Sequence, residues 1–224
     1  MTKKQIPLIY YNELLFSINS YYYLEKMKVV LFSGTPGTGK TILSRKISEK
    51  ISAKVISLSD LAVKKDLILS FDSKRDTYVI DEEKIVPEII NLIKKSKNQD
   101  TSTLIIEGHL TDIVPEEFFD LVIVLRCDPD ILHERLKLRG YSKEKVIENV
   151  QSEILGNCAN FFVEKNMKKP LLEVDTSTIN VDKLVNVVVE IISRDKNITK
   201  YALGKIDWLE KLSAENRLDE YFEM

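Results

Sequence analysis

Short, wholly apolar runs alternate along this chain with stretches in which apolar residues recur every three or four positions. Val29-Val30-Leu31-Phe32, Thr103-Leu104-Ile105-Ile106 and Leu121–Leu125 show no polar alternation. Such runs mark strands buried on both faces of a parallel sheet. Lys54–Leu58 and Leu171–Val174 read as two further strands. Between them, Ile42, Leu43, Ile47 and Ile51 fall at roughly helical spacing, and Ile85, Ile89, Leu92 and Ile93 form one stripe of a helix over Glu82–Lys97 that Asp81 would cap. Asp60 would cap a short helix over Leu61–Lys65. Asp128-Pro129 opens a helix that runs to Arg139 and stops at Gly140. Ser142 starts a long helix to about Lys165, and Asn180 caps another over Val181–Ser193. Asp66–Thr77 is polar and loosely patterned, and Tyr78–Ile80 is a brief extended piece. Residues 194–224 form a charged tail with one apolar island, Ile206–Leu209, which fits an amphipathic peptide docked on the core or on a partner. Alternation of this kind predicts an α/β protein in three layers, a five-stranded parallel sheet covered on both faces, with ligands at the C-terminal ends of the strands.

The junction after the first strand carries the chemistry. Gly34-Thr35-Pro36-Gly37-Thr38-Gly39-Lys40-Thr41 has the spacing G-x-x-x-x-G-K-[ST] of a P-loop, and it lies between a strand and a helix, as that motif requires. Its glycines let the backbone turn its N–H groups toward phosphate oxygens, and the helix N-terminus adds partial positive charge. Lys40 would reach the β- and γ-phosphates, and the Thr41 hydroxyl would ligate Mg²⁺. The chain is therefore expected to bind a nucleoside triphosphate with Mg²⁺.

Composition narrows the partners. The 224 residues suit one α/β domain with additions, or at most two small domains. A net charge of −2 supplies no global basic field, so sequence-specific nucleic-acid binding is not expected. No stretch is apolar for long enough to span a bilayer. Cys127 and Cys158 are the two cysteines and have no metal-ligand spacing, as in a cytoplasmic protein with reduced thiols. Residues 1–26 hold five of the nine tyrosines, and Met27 directly precedes the first strand. Residues 1–26 are expected to be an extension upstream of a working start at Met27, with an outer helix over Tyr11–Leu24 as the structural alternative.

Other polar residues fall at strand ends. Glu107 follows an apolar run, where a second acidic residue commonly helps hold Mg²⁺. His109, two residues on, could orient a water or meet the γ-phosphate. Arg135 and Arg139 are four apart on one helix and share a face beside the Gly140 break, a place for cations on a mobile flap. Arg126, at a strand end, is a third candidate cation. Lys64 and Lys65 are candidates for the acceptor phosphate. The loop Asp175-Thr176-Ser177-Thr178 could lie along the donor base.

Gly34–Thr41, Glu107-Gly108-His109, Val124–Asp128 and Glu134–Tyr141 together resemble the adenylate kinase isoenzyme six family, whose eukaryotic members are also called coilin-interacting nuclear ATPase proteins and which has archaeal counterparts. Tyr141–Ile154 fits that family as well. The resemblance spans roughly Met27–Ser193 and implies a P-loop nucleoside monophosphate kinase fold, with an acceptor region near 57–80 and a short lid near 138–148. It implies ATP + AMP ⇌ 2 ADP, slower ATPase activity, and a part in small-subunit ribosome maturation through transient binding of a platform ribosomal protein. By matching position, Gly37, Gly39, Lys40, Thr41 and Ile42 would line ATP and Arg139 would contact it from the lid. Glu107 and His109 stand at the family's acidic and histidine positions. Many members have Thr or Ser where Ile42 stands and Arg where Val63 stands. The second difference removes a bidentate grip on the acceptor phosphate unless Lys64 or Lys65 replaces it.

The expected activity is thus transfer of the ATP γ-phosphoryl group to a monophosphate, with Lys40, Arg135 and Arg139 over the transferring group. Rivals are an ATPase assembly factor with little kinase activity and a kinase of another small metabolite. The absence of an N-K-x-D base-reading motif argues against a GTPase.

Overall fold

The computed structural model describes residues 27–73, 75–99, 101–178, 180–193 and 198–222. The expectations for residues 1–26 lie outside the described residues. Strand β1 (Lys28–Ser33) runs into the P-loop and helix α1 (Lys40–Ile51). β2 (Lys54–Ser57) and α2 (Leu58–Lys64) follow, then β3 (Ile68–Asp72), β4 (Thr77–Ile80) and α3 (Glu82–Lys97). β5 (Thr103–Glu107), β6 (Leu121–Arg126), α4 (Pro129–Leu138), α5 (Lys143–Ile154) and α6 (Asn157–Glu164) come next. β7 (Leu171–Asp175), α7 (Val181–Ser193), α8 (Trp208–Ala214) and α9 (Asp219–Phe222) complete the order.

Five strands form one sheet in the order β2-β5-β1-β6-β7, and each neighbouring pair is parallel. This is the three-layer α/β architecture expected from the apolar runs. The alternation of side chains along each strand divides the core into two faces. Val29 and Leu31 pack with Leu104, Ile106, Val122 and Val124 against Ile85, Ile89 and Ile93 of α3 and Phe162 of α6. Val30 and Phe32 pack on the other face with Ile105 and Ile123 against Leu43 and Ile47 of α1 and Val188 and Ile192 of α7. β1 lies between β5 and β6, which are reached by crossovers to opposite sides, so the loop after β1 opens into the crevice where such sheets bind ligands. No helix among the described residues is long and apolar enough to cross a membrane.

Several elements differ from expectation. α2 starts at Leu58, one turn early, because the Ser57 side chain accepts the Asp60 N–H at 3.4 Å and takes the cap. Asp66–Thr77 is not loose: β3 and β4 pair as an antiparallel hairpin. The helix expected from Ser142 to Lys165 is broken at Gly156, where φ is +67° and the chain turns from α5 into α6. The charged tail folds back, burying Trp208, Leu212 and Tyr221; Leu212 and Tyr221 pack with Leu132, Leu136, Val146 and Val150.

Arg126 is the main correction. It is only 4% exposed and faces two buried carboxylates rather than a phosphate site. Its Nε donates to Glu153 Oε1 at 2.8 Å, Nη1 donates to Glu173, and Nη2 donates to the Glu153 carbonyl at 2.9 Å. Nη1 also reaches the Ile206 carbonyl at 3.3 Å, and Glu173 Oε2 accepts the Gly204 N–H at 2.8 Å. Burial alone would lower the guanidinium's pKa, but Glu153 and Glu173 outweigh it and raise it. β6, β7, α5 and the C-terminal segment are therefore joined through one side chain. Removing one partner of a buried ion pair typically costs about 3–5 kcal/mol, because the other charge stays buried. Arg126→Met is expected to lower the melting temperature by roughly 6–20 °C at neutral pH, on a scale of about 2–4 °C per kcal/mol for chains of this size. A calorimetric scan showing no shift would contradict the buried network.

Candidate active site

Backbone packing shapes the P-loop before any ligand arrives. A Cβ on Gly34 would lie 2.5 Å from the Leu125 carbonyl oxygen, and one on Gly37 would lie 2.7 Å from Leu132 Cδ1 of α4. Both glycines also have positive φ, so side chains are excluded there by conformation and by space. The Thr35 hydroxyl donates to Glu153 Oε2 at 2.6 Å, which ties the loop to the Arg126 network. Thr38 Oγ1 donates to the Thr35 carbonyl at 2.9 Å, and the Thr176 hydroxyl lies 2.9 Å from both the Thr38 and the Arg126 carbonyl oxygens. Gly39 precedes α1, and no side chain caps the helix N-terminus. Its first N–H groups are thus left for an anion.

Lys40 Nζ donates to the Gly34 and Thr35 carbonyls at 2.6 and 3.0 Å. Burial lowers its pKa; Cys158, Glu107 and Glu153 oppose this, and Arg139 adds to it. Glu107 ends β5 and is 4% exposed, and the Thr41 hydroxyl donates to its Oε1 at 3.2 Å. A hydroxyl and a carboxylate facing each other make an oxygen donor set for a hard cation. No group of three or more His, Cys, Asp or Glu among the described residues could hold a metal unaided. The Thr41–Glu107 pair fits Mg²⁺, which takes one or two protein oxygens and completes its shell with substrate phosphates and water.

These groups border a cavity of about 1010 Å³, at the upper end of the range for small-molecule sites. Gly37, Gly39, Ile42, Glu107, His109, Arg135 and Arg139 all border it. The two arginines are held differently. Arg135 Nη2 donates to the Thr176 and Ser177 carbonyls at 2.8 and 3.3 Å, so it clamps the loop after β7. Arg139 is the C-cap of α4 in an exposed turn with Leu138, which is 88% exposed, and Gly140 at φ +78°. The segment expected as a lid is this turn together with the start of α5. Lys64 and Lys65 do not border the cavity. α2 turns Leu58, Leu61 and Ala62 inward, which leaves both lysines exposed, and Lys65 pairs with Glu88 at 3.1 Å.

Residues that the sequence pattern did not single out also border the cavity, including Arg75 from the β3–β4 turn and Lys145 from α5. Two β-prone runs around Asp72-Ser73-Lys74-Arg75-Asp76 are the hairpin signal that would have brought Arg75 forward.

Burial, and then the charge of Lys40, hold His109 down at a pKa of about 4, with Asp112 opposing. Its ring is therefore neutral at pH 7. The sign follows from the lowered value: below pH 6.5 the unfolded chain gains a proton that the folded chain does not, so stability falls as pH falls from 6.5 toward 4. The loss is about 2 kcal/mol by pH 5. Urea unfolding at pH 7 and pH 5 is expected to show His109→Gln losing less stability over this interval than the unchanged chain. An equal loss would contradict the neutral ring.

Residues 30–156, more than half the chain, match the family described as "AAA domain". A Methanocaldococcus jannaschii protein named "Putative adenylate kinase" is 35% identical over 182 residues, covering 81% of this chain and 93% of its own length. Proteins of the same name from Saccharolobus islandicus and Thermococcus onnurineus are 35% and 34% identical, covering 86% and 82% of this chain and 93% and 92% of their own lengths. Among solved structures, a deoxyadenosine kinase from M. mycoides superposes with a TM-score of 0.49 at 19% identity, covering 74% of this chain and 99% of its own. By the domain match and by these archaeal relatives, the chain belongs to the AAA domain family and is a homologue of the archaeal proteins that carry the adenylate kinase name.

Proposed function

We propose that this chain is a nucleoside monophosphate kinase that transfers the γ-phosphoryl group of ATP to AMP, forming two ADP, with slower ATP hydrolysis. The observation that carries this reading is one continuous cavity. It begins at Lys40 and the Thr41–Glu107 pair and continues past Ser57 and Asp60 to the hairpin and α5, with space for a second substrate beside the triphosphate. The archaeal relatives' names agree with it.

The mechanism follows from the placement of charge. Lys40 would exchange its contacts with the Gly34 and Thr35 carbonyls for the β- and γ-phosphate oxygens. Thr41 and Glu107 would hold Mg²⁺, which neutralises phosphate charge when bound. Arg139, in its exposed turn, would close over the transferring group, while Arg135 keeps the loop after β7 in place. An acceptor phosphate oxygen attacks the γ-phosphorus in line as the bond to the bridging β–γ oxygen breaks, so no side-chain nucleophile is needed. Neutral His109 would serve as a hydrogen-bonding group at the γ-phosphate rather than as a cation.

One observation favours hydrolysis as a second reading. Val63, where an acceptor-gripping arginine is common in the resembled family, is exposed and lies outside the cavity wall. The platform ribosomal protein rests on the resemblance, and the cytoplasmic setting on Cys127 and Cys158 read as reduced thiols.

With Mg-ATP, added AMP is expected to raise ADP formation without a matching release of phosphate. Lys40→Ala should lower turnover by about 10²–10³, and Arg139→Ala by on the order of 10³. Slow phosphate release indifferent to every monophosphate would contradict the kinase reading and support the ATPase. Activity untouched in Lys40→Ala would contradict both.

A further inference from the structure

The phosphate of a monophosphate acceptor needs a cation on the cavity wall. α2 supplies none, since Val63 is neutral and 58% exposed while Lys64 and Lys65 stand outside the wall. Among the described residues, the Lys and Arg side chains bordering the cavity are Lys40, Arg75, Arg135, Arg139 and Lys145. Lys40 belongs to the P-loop, Arg135 clamps the loop after β7, and Arg139 is the cap of α4 next to it. Arg75 and Lys145 are left, on the wall formed by the hairpin and α5.

Their present contacts show how they are held. Arg75 Nε donates to Glu148 Oε1 at 2.7 Å, from the hairpin turn to α5. Lys145 Nζ returns from α5 to the hairpin, donating to the Asp76 carbonyl and to Asp76 Oδ2 at 3.2 Å. It also lies 4.6 Å from the centre of the Tyr141 ring. The two ion pairs run in opposite senses across the same seam, so each element gives the other one cation and one carboxylate. A guanidinium has five donors in a planar fork, and the bond to Glu148 takes one, leaving a face that matches two phosphate oxygens. The Arg75 and Glu148 side chains are 63% and 48% exposed, and a pair so exposed is worth little. A dianionic phosphate could join or displace it at small cost.

We propose that Arg75 and Lys145 bind the phosphate of the nucleoside monophosphate acceptor, with Glu148 and Asp76 positioning their side chains. The proposal rests on the kinase reading above, and it moves the acceptor cation from α2 to the hairpin. Binding there draws the hairpin and α5 together around one dianion, so acceptor binding tightens the wall that excludes water.

The test is steady-state kinetics of the full chain with Mg-ATP and AMP. Arg75→Ala and Lys145→Ala should each raise KM for AMP about tenfold or more, with a much smaller change in KM for ATP. Arg75→Lys should recover only part of the loss, because a point charge cannot make the fork. Lys64→Ala, outside the wall, should leave KM for AMP unchanged. An unchanged KM for AMP in both Arg75→Ala and Lys145→Ala, or a rise in Lys64→Ala instead, would overturn the proposal. If the unchanged chain forms no ADP from ATP and AMP, the kinase reading fails separately, and calorimetric titration with AMP alone decides the site. AMP binding that Arg75→Ala weakens sustains the site; absent binding, or equal binding in the variant, overturns it.

Discussion

Two carboxylates and one guanidinium buried behind the P-loop govern how this molecule is assembled. Glu153 accepts from Arg126, from the Cys127 N–H at 3.0 Å and from the Thr35 hydroxyl, so one carboxylate reaches β6, the loop after it and the phosphate-binding loop. Buried charges must be fully partnered, and here the partners come from separate parts of the chain. The C-terminal segment is part of the same arrangement through the Ile206 carbonyl and the Gly204 N–H. It also holds the start of α4 through Lys211 on Asp128 at 2.6 Å and Arg217 on Asp130 at 2.8 Å. Since α4 leads to Arg139, a tail remote in sequence helps set the base of the turn that carries a catalytic candidate.

The cavity thus has a firm half and a looser half. On the P-loop side the buried Thr35, Thr38, Lys40 and Glu107 side chains are hydrogen-bonded within the protein, which holds the loop in shape before a ligand arrives. The hairpin side leaves Leu69, Phe71 and Tyr78 more than half exposed, and surface ion pairs tie it to α5. Elements with few buried contacts open at low free-energy cost. On the proposed kinase reading, the hairpin half would admit and release the acceptor while the triphosphate side stays in place.

Much of this was legible in the sequence because strong local signals coincide. The apolar runs at Val29–Phe32, Thr103–Ile106 and Leu121–Leu125 are short and lack polar alternation, as buried parallel strands do, and the P-loop spacing placed Lys40 and Thr41 without help from tertiary contacts. Asp128-Pro129 marked its helix start for the same local reason. Arg126 misled because a cation at the end of an apolar strand looks like a site residue; its partners Glu153 and Glu173 lie 27 and 47 positions away, and nothing local announces them. The hairpin was hidden because its strands are short and exposed, without the alternation that a covered face imposes. Ser57 won the cap of α2 over Asp60 by three residues, a competition between two good capping side chains that local preference does not decide. The tail read as polar because its buried residues Trp208, Leu212 and Tyr221 are spread thinly along it, and Leu212 and Tyr221 pack against α4 and α5.

Following the labelled γ-phosphoryl group tests the central claim most directly. When the full chain is given Mg-ATP labelled at the γ-phosphorus together with AMP, the label is expected in the β-phosphate of newly formed ADP, ahead of any in free phosphate. Label that appears only as free phosphate, at a rate AMP does not change, would contradict phosphoryl transfer between nucleotides and leave the chain an ATP-hydrolysing protein.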